Sequence, residues 1–359
     1  MTITGNKGEW SEAYAFFRLL ADGKLFAADE QLNRIQGMFI PILKIIREEI
    51  SGTRYEYRTD TPDSKIEIYL NGKYLLSVPT AVFDAEASNL YAKISVNSGA
   101  FGVAQSESFM RSIYMTKLKA PSADKSDIKV QIHDTHTGLK PIVGFSIKSE
   151  LGSRPTLLNS SRATTFVYEV IGLNKLDVRL INAIDTRTKI IDRVKAIKDN
   201  GGRLVYTNML SPTFCNNLEM IDSQMPRIVA EMLSGYYSGG TADCADLANY
   251  ICRVNPLSRV TDSADFYKHK IKEMLCSIAL GMKPATVWNG ADEASGGYII
   301  VKTDGDVLAY HVYNRDAFKG YLLNNTKLDR PSTSRHGYCV LYEDSRKIKI
   351  NLNLQIRFR

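Results

Sequence analysis

Cysteine is scarce and poorly placed for chemistry. The five residues, Cys215, Cys244, Cys252, Cys276 and Cys339, are an odd set at wide, irregular intervals with no C-x-x-C pair. That argues against a disulfide framework and against a thiolate zinc site, and leaves reduced, packed thiols. The chain also lacks a Walker loop, a dinucleotide fingerprint, an H-E-x-x-H helix and a G-x-S-x-G elbow. Nucleotide hydrolysis, hydride transfer, zinc proteolysis and esterase chemistry thus lose their usual signals. No run approaches the ~18 consecutive apolar residues of a membrane span. Residues 1–11 are polar and charged, without an apolar signal core, so the expectation is a soluble, cytoplasmic protein.

What is present is length and a moderate positive charge. The 359 residues allow two compact units or one elaborated domain, and 44% of them are hydrophobic, enough for a substantial core. Lys plus Arg number 46 against 39 Asp plus Glu, a balance of +7. Such an excess suits a polyanionic partner without being histone-like.

Hydropathy periods place the elements. Trp10, Ala13, Tyr14, Phe17 and Leu20 recur at helical spacing, and Asp22-Gly23 supplies a stop. A second helix is expected over 31–50, short strands over 54–78, and a further helix over 107–118. Period-two runs follow over 128–132, 141–147 and 165–171, then a helix over 189–198 and a strand over 203–207. Helices are expected over 218–237, 242–252 and 264–280. Strands at 297–302, 307–313, 338–342 and 348–358, with a helix at 316–323, complete an α+β or mixed α/β protein. A soft boundary near Leu210 divides 1–210 from 211–359.

Parity marks one region for chemistry. Ile128, Val130, Ile132 and Asp134 share one strand face, and Gly144, Ser146 and Lys148 share a face of the next strand. If the two strands pair across the turn at 135–139, the carboxylate and the ammonium are expected to meet at a sheet end. An acid and a Lys so placed fit metal-assisted phosphodiester hydrolysis, the acid holding a divalent cation and Lys148 orienting or deprotonating the attacking water. An ordinary salt bridge is the competing account. His133 has the opposite parity to Asp134 and His136 falls in the turn, so both are expected to be loop and surface residues. The Arg187, Lys189, Arg193, Lys195 and Lys198 series is interleaved with Asp185, Asp192 and Asp199, as on a solvated helix face.

Three segments then narrow the reading. The string Asn6-Lys7-Gly8-Glu9-Trp10-Ser11-Glu12, the following Leu19-Leu20-Ala21-Asp22-Gly23-Lys24-Leu25, and Ile132-His133-Asp134 with Gly144-Phe145-Ser146-Ile147-Lys148-Ser149-Glu150-Leu151-Gly152-Ser153 and Thr156-Leu157-Leu158-Asn159 closely resemble the HpaII family of type II restriction endonucleases. The resemblance implies a PD-(D/E)XK nuclease core with a mixed sheet flanked by helices, Mg²⁺ as cofactor, and double-stranded DNA cut at CCGG. It implies pairing with a methyltransferase of the same specificity, and a homodimer is common among enzymes that cut palindromes. Asp134 matches the metal-binding Asp and Lys148 the motif Lys, while Ser146 stands where the second acid belongs. A hydroxyl is a poor substitute for a carboxylate on a hard cation. Compensation is expected from Glu12, which lies in the matching N-terminal string, with Glu9 second because Asn6 and Glu9 form a capping-box spacing. Glu150 has the right parity beyond Lys148, and Ile147 offers a backbone carbonyl.

Base recognition requires donors and acceptors that reach the major groove. Candidates are Ser153, Arg154 and Asn159 after the Lys148 strand, and Arg335, Lys349 and Arg357 near the C-terminus. Lys347, Lys349, Arg357 and Arg359 are expected on one side of an edge-like ribbon, where they either meet phosphate or protect an edge against aggregation. A structure-selective nuclease and a non-catalytic DNA-binding protein with a decayed site remain alternatives.

Overall fold

The computed structural model describes residues 3–61, 63–119, 126–135, 137–260, 263–332 and 338–359. The chain begins with α1 (Lys7–Asp22), β1 (Lys24–Ala28), β2 (Arg34–Ile50), β3 (Thr53–Arg58), β4 (Lys65–Leu70), β5 (Lys73–Pro79), α2 (Thr80–Val96), α3 (Ala104–Ser112), β6 (Ile128–Ile132) and β7 (Ile142–Ser149). It continues through β8 (Thr156–Leu158), β9 (Thr165–Ile171), α4 (Lys175–Asn182), α5 (Lys189–Asp199), β10 (Arg203–Met209), α6 (Pro212–Glu219), α7 (Met225–Tyr237), α8 (Cys244–Val254) and α9 (Ser263–Leu280). It ends with β11 (Gly297–Val301), β12 (Val307–His311), α10 (Arg315–Asn325), β13 (Thr326–Leu328), β14 (Leu341–Asp344), β15 (Lys347–Asn353) and β16 (Ile356–Phe358). Among the described residues no helix is long and apolar enough to cross a membrane.

Two compact units result, Met1–Pro155 with Asp292–Tyr321, and Thr156–Ala291 with Leu322–Arg359. The division differs from the boundary expected near Leu210. Residues 156–210 pack within the second unit, and β11 and β12 return to the first because β11 runs parallel to β7 in its sheet. Such a pairing joins segments about 150 residues apart and leaves no local trace in the sequence.

The first unit holds a nine-stranded mixed sheet in the order β1-β12-β11-β7-β6-β2-β3-β4-β5, with a further β1–β2 pairing. Helix α1 covers it through the expected stripe, with Trp10, Ala13, Tyr14, Phe17 and Leu20 all buried. Burying each large side chain stabilises by about 1.5–3 kcal/mol, so the stripe fixes which way the polar residues of α1 face. Asn6 and Glu9 form the expected capping box, and Gly23, at φ 61°, ends the helix in the left-handed conformation. Helix α2 has no counterpart among the elements expected from periodicity. It buries Phe83, Ala87, Leu90 and Ile94, and Phe83 meets Phe17 edge-on.

The expected helix over 31–50 is a strand instead. Ile42, Ile45 and Ile46 carry helical spacing, but Pro41 lacks an amide donor, Gly37 sits at φ 75°, and Ile favours strands. A register shift between Ile42 and Lys44 changes the parity, so Ile42 and Ile45 both reach the core. The helix expected over 107–118 is shorter, α3 ending at Ser112.

The second unit carries two small sheets, β10-β9-β15-β14 and β13-β16-β8. The helix expected over 218–237 is broken into α6 and α7, with Pro226 in the first turn of α7. Arg193, expected on a solvated face, is buried. Its guanidinium donates to the carbonyls of Asn182, Ile184 and Cys339, so it braces the chain rather than meeting solvent.

Candidate active site

Strands β6 and β7 pair antiparallel across the turn, as expected, but the register separates the two residues expected to meet. Ile128 lies opposite Phe145 and Gln131 opposite Ile142. In a hairpin, residues equidistant from the turn face one another. Asp134 is therefore at the turn, where its N–H bonds the Leu139 carbonyl. Lys148 is nine residues further along the partner strand from Leu139, roughly 30 Å away at the rise of a β-strand. Asp134 is 3% exposed, and its carboxylate accepts from the hydroxyls of Thr137 and Tyr313. It holds the turn, and the structure does not bring it to Lys148.

The residue brought to the Lys148 end is Asp127, immediately before β6. Its Oδ2 accepts from the Ser146 hydroxyl at 3.0 Å and from the Ile147 N–H at 2.7 Å. Oδ1 has no such bond among the described residues. Ser146 is thus a donor that orients a carboxylate, a role an acid in its place could fill only when protonated. Lys148 shares the Ser146 face of β7, and its ammonium lies 5.7 Å from the centroid of the Tyr298 ring, on the neighbouring β11. Backbone packing supports this geometry: a Cβ on Gly144 would lie 2.5 Å from that of Ser126, the residue beside Asp127.

Glu12 enters from α1. Its carboxyl is raised from 4.5 to about 7, first by burial and then by the Asp127 charge, against the opposing pull of Lys119, Lys148 and Arg47. Its carboxylate makes no hydrogen bond or ion pair among the described residues. A half-buried carboxylate without a hydrogen-bond partner, beside a second one and with a lysine in the same field, is an arrangement that a cation would relieve. Hard carboxylate oxygens suit Mg²⁺, which is commonly held by one or two protein carboxylates with water and phosphate completing its shell. Among the described residues there is no group of three His, Cys, Asp or Glu side chains that could hold a metal. At this end of the sheet Asp127 and Glu12 are accompanied by the Ser146 hydroxyl.

The remaining expected residues divide. Glu9 caps α1 and pairs with Lys119 at 3.2 Å, which accounts for it structurally. Glu150 pairs with Arg154 at 3.8 Å. His133 is half-buried beside the turn with its N–H on the Pro41 carbonyl, and His136 lies outside the described residues. Ser153 and Asn159 are exposed. Arg335 also lies outside the described residues. Lys349 pairs with Asp344 at 2.5 Å, Lys347 with Glu169 at 2.7 Å and Arg357 with Asp329 at 3.1 Å. The expected edge ribbon is not one: β15 lies between β9 and β14, and β16 between β13 and β8. Periodicity does not single out Asp127, because an acid preceding a strand reads as loop. The turn at 135–139 nevertheless fixes which residues oppose Ser146 and Lys148.

Comparison with known proteins bears on the same site. The HpaII restriction endonuclease family model matches residues 6–358, a span that contains every residue of this cluster. The type II restriction enzyme HpaII of Haemophilus parainfluenzae is 40% identical over 359 residues, covering 99% of each chain. No solved structure matches the chain. A family match over nearly the whole length, together with an end-to-end relative, establishes that the chain belongs to the HpaII restriction endonuclease family and is a type II restriction endonuclease, a hydrolase acting on DNA.

Proposed function

We propose that the protein cleaves double-stranded DNA at CCGG by Mg²⁺-dependent phosphodiester hydrolysis, with a PD-(D/E)XK-like site made of Asp127, Ser146, Lys148 and Glu12. The observation that carries the site is the Asp127 carboxylate, fixed by Ser146 and Ile147 on the strand that also bears Lys148. Asp127 takes the part expected of Asp134. The CCGG target follows the relative, whose identity spans the whole chain.

Asp127 and Glu12 would hold the cation, which would supply Lewis-acid polarisation and a more acidic water. Ser146 and the Ile147 N–H keep one oxygen of Asp127 occupied and leave the other without a protein donor among the described residues. Lys148 positions the attacking water and offsets the charge that builds on phosphorus. Glu12 serves as a ligand only when ionised, so protons compete with the cation and the Mg²⁺ concentration needed for cleavage falls as pH rises.

The second unit carries base recognition, joined by the exposed Ser153 and Asn159 of the segment that follows β7. Arg154 and Arg335 remain candidates for guanine contacts. Arg357 and Lys349 reach phosphate only by exchanging Asp329 and Asp344 for it. Two copies acting about a two-fold axis match a palindromic site, and a methyltransferase of the same specificity protects host DNA in the cytoplasm.

Digestion of a sequenced plasmid with Mg²⁺, followed by mapping of the ends, tests this reading. Discrete fragments ending at CCGG are expected. A smear, or discrete ends at another sequence, would overturn the assigned specificity.

A further inference from the structure

We propose that Ser11 and Ser149 are a positioning pair whose hydrogen bond fixes Glu12 relative to Lys148 and thereby sets the divalent-cation affinity of the site. The inference rests on the assignment of Glu12 and Lys148 made above.

The pair joins α1 to β7 at the residues adjacent to the two functional groups, Ser11 beside Glu12 and Ser149 beside Lys148. Ser149 Oγ donates to Ser11 Oγ at 2.8 Å, and Ser11 Oγ donates to the Lys7 carbonyl at 2.7 Å. The Leu151 N–H in turn donates to Ser149 Oγ at 3.1 Å. Each hydroxyl gives its one proton and receives one, so the chain of bonds has a single direction and ends on backbone at both sides. Both serines are buried, Ser11 fully and Ser149 at 9% exposure.

Packing alone does not call for this arrangement. Neighbouring residues of the same two elements, Trp10, Phe145 and Ile147, belong to the apolar core. A methyl group would sit there without desolvating a hydroxyl, whereas a buried hydroxyl is tolerated only when its partners are in place. The bond is also directional, and slippage of α1 along the sheet would break it where apolar contacts would slide. The chain leaving β7 returns to the same turn of α1: a Cβ on Gly152 would lie 3.2 Å from that of Lys7. The start of α1 and the end of β7 are therefore held at two points, the serine pair and the close approach of Gly152 to Lys7.

The test measures Mn²⁺ binding to the full-length, DNA-free protein by calorimetry, with thermal melting to monitor the fold. Ser149→Ala and Ser11→Ala should each weaken Mn²⁺ binding about fivefold, the worth of one hydrogen bond. They should raise the Mg²⁺ concentration for half-maximal cleavage by the same factor, with a smaller loss at saturating Mg²⁺. Ser149→Thr, which keeps the hydroxyl, should stay near the wild type. The double variant should weaken Mn²⁺ binding about as much as either single one, because the Ser149–Ser11 bond that links the two elements is lost in each. Ile94→Val, a core substitution on α2, should lower the melting temperature and leave Mn²⁺ affinity unchanged. Wild-type Mn²⁺ affinity in Ser149→Ala, beside loss of binding in Glu12→Gln, would overturn the positioning pair. Unchanged affinity in Glu12→Gln would overturn the metal assignment beneath it, and the pair with it.

Discussion

Replacing Glu12 by Gln should inactivate the enzyme and stabilise it, by an amount that depends on pH. The carboxyl is held at about 7 in the folded protein against 4.5 in the free side chain, mainly by burial and then by the charge of Asp127. Below pH 4.5 both states are protonated and nothing is lost. Between 4.5 and about 7 the unfolded chain ionises while the folded one keeps its proton, so stability falls as pH rises. Above that range the penalty is complete. At about 1.4 kcal/mol for each tenfold change in proton affinity it reaches about 3 kcal/mol at pH 8, against less than about 1 kcal/mol at pH 5. Gln carries no charge, so urea melts in EDTA should find the variant's advantage growing by about 2–3 kcal/mol between those two pH values. Mg²⁺ should raise the stability of the wild type at pH 8 and leave Glu12→Gln unmoved. An advantage independent of pH would refute the buried-carboxylate account.

Two further substitutions probe the frame of the site. Gly144→Ala pushes a methyl against Ser126, 2.5 Å away, and should cut the cleavage rate at least about tenfold by displacing Asp127; single-turnover kinetics at saturating Mg²⁺ would read it. Ser146→Ala removes one of two bonds to Asp127 Oδ2 and leaves the Ile147 N–H in place, so a loss of about two- to tenfold is expected, the worth of one hydrogen bond. Complete inactivity of a folded Ser146→Ala would make the hydroxyl a participant in the chemistry.

Much of the site was legible because it rests on short-range regularities. The α1 stripe from Trp10 to Leu20, the cap of Asn6 and Glu9, and the pairing of β6 with β7 all follow from period and turn chemistry. Glu12 and Lys148 became candidates through the resemblance and the parity of β7, and the structure sets both in the field of Asp127 and Ser146. Asp134 and Lys148 were expected to meet and do not, because parity fixes the face of a strand and not the end of it. Counting outward from the turn would have placed Asp127 opposite Ser146. The 31–50 segment misled because Ile42, Ile45 and Ile46 satisfy a helical spacing that a register shift also produces. The unit boundary was illegible for another reason: β11 and β12 join the first unit through long-range pairing with β7 and β1.

The central claim is that catalysis resides at the Asp127 end of the β6–β7 pair. Cleavage of a duplex containing CCGG by Asp127→Asn and Asp134→Asn, each confirmed folded by its thermal melt, tests it most directly. Asp127→Asn should lose at least about a thousandfold in rate, as removal of a group that acts on the transition state does. Asp134→Asn should cut at nearly the wild-type rate while melting earlier, since its carboxylate braces the turn through Thr137 and Tyr313. Activity retained in Asp127→Asn and abolished in a folded Asp134→Asn would contradict the account.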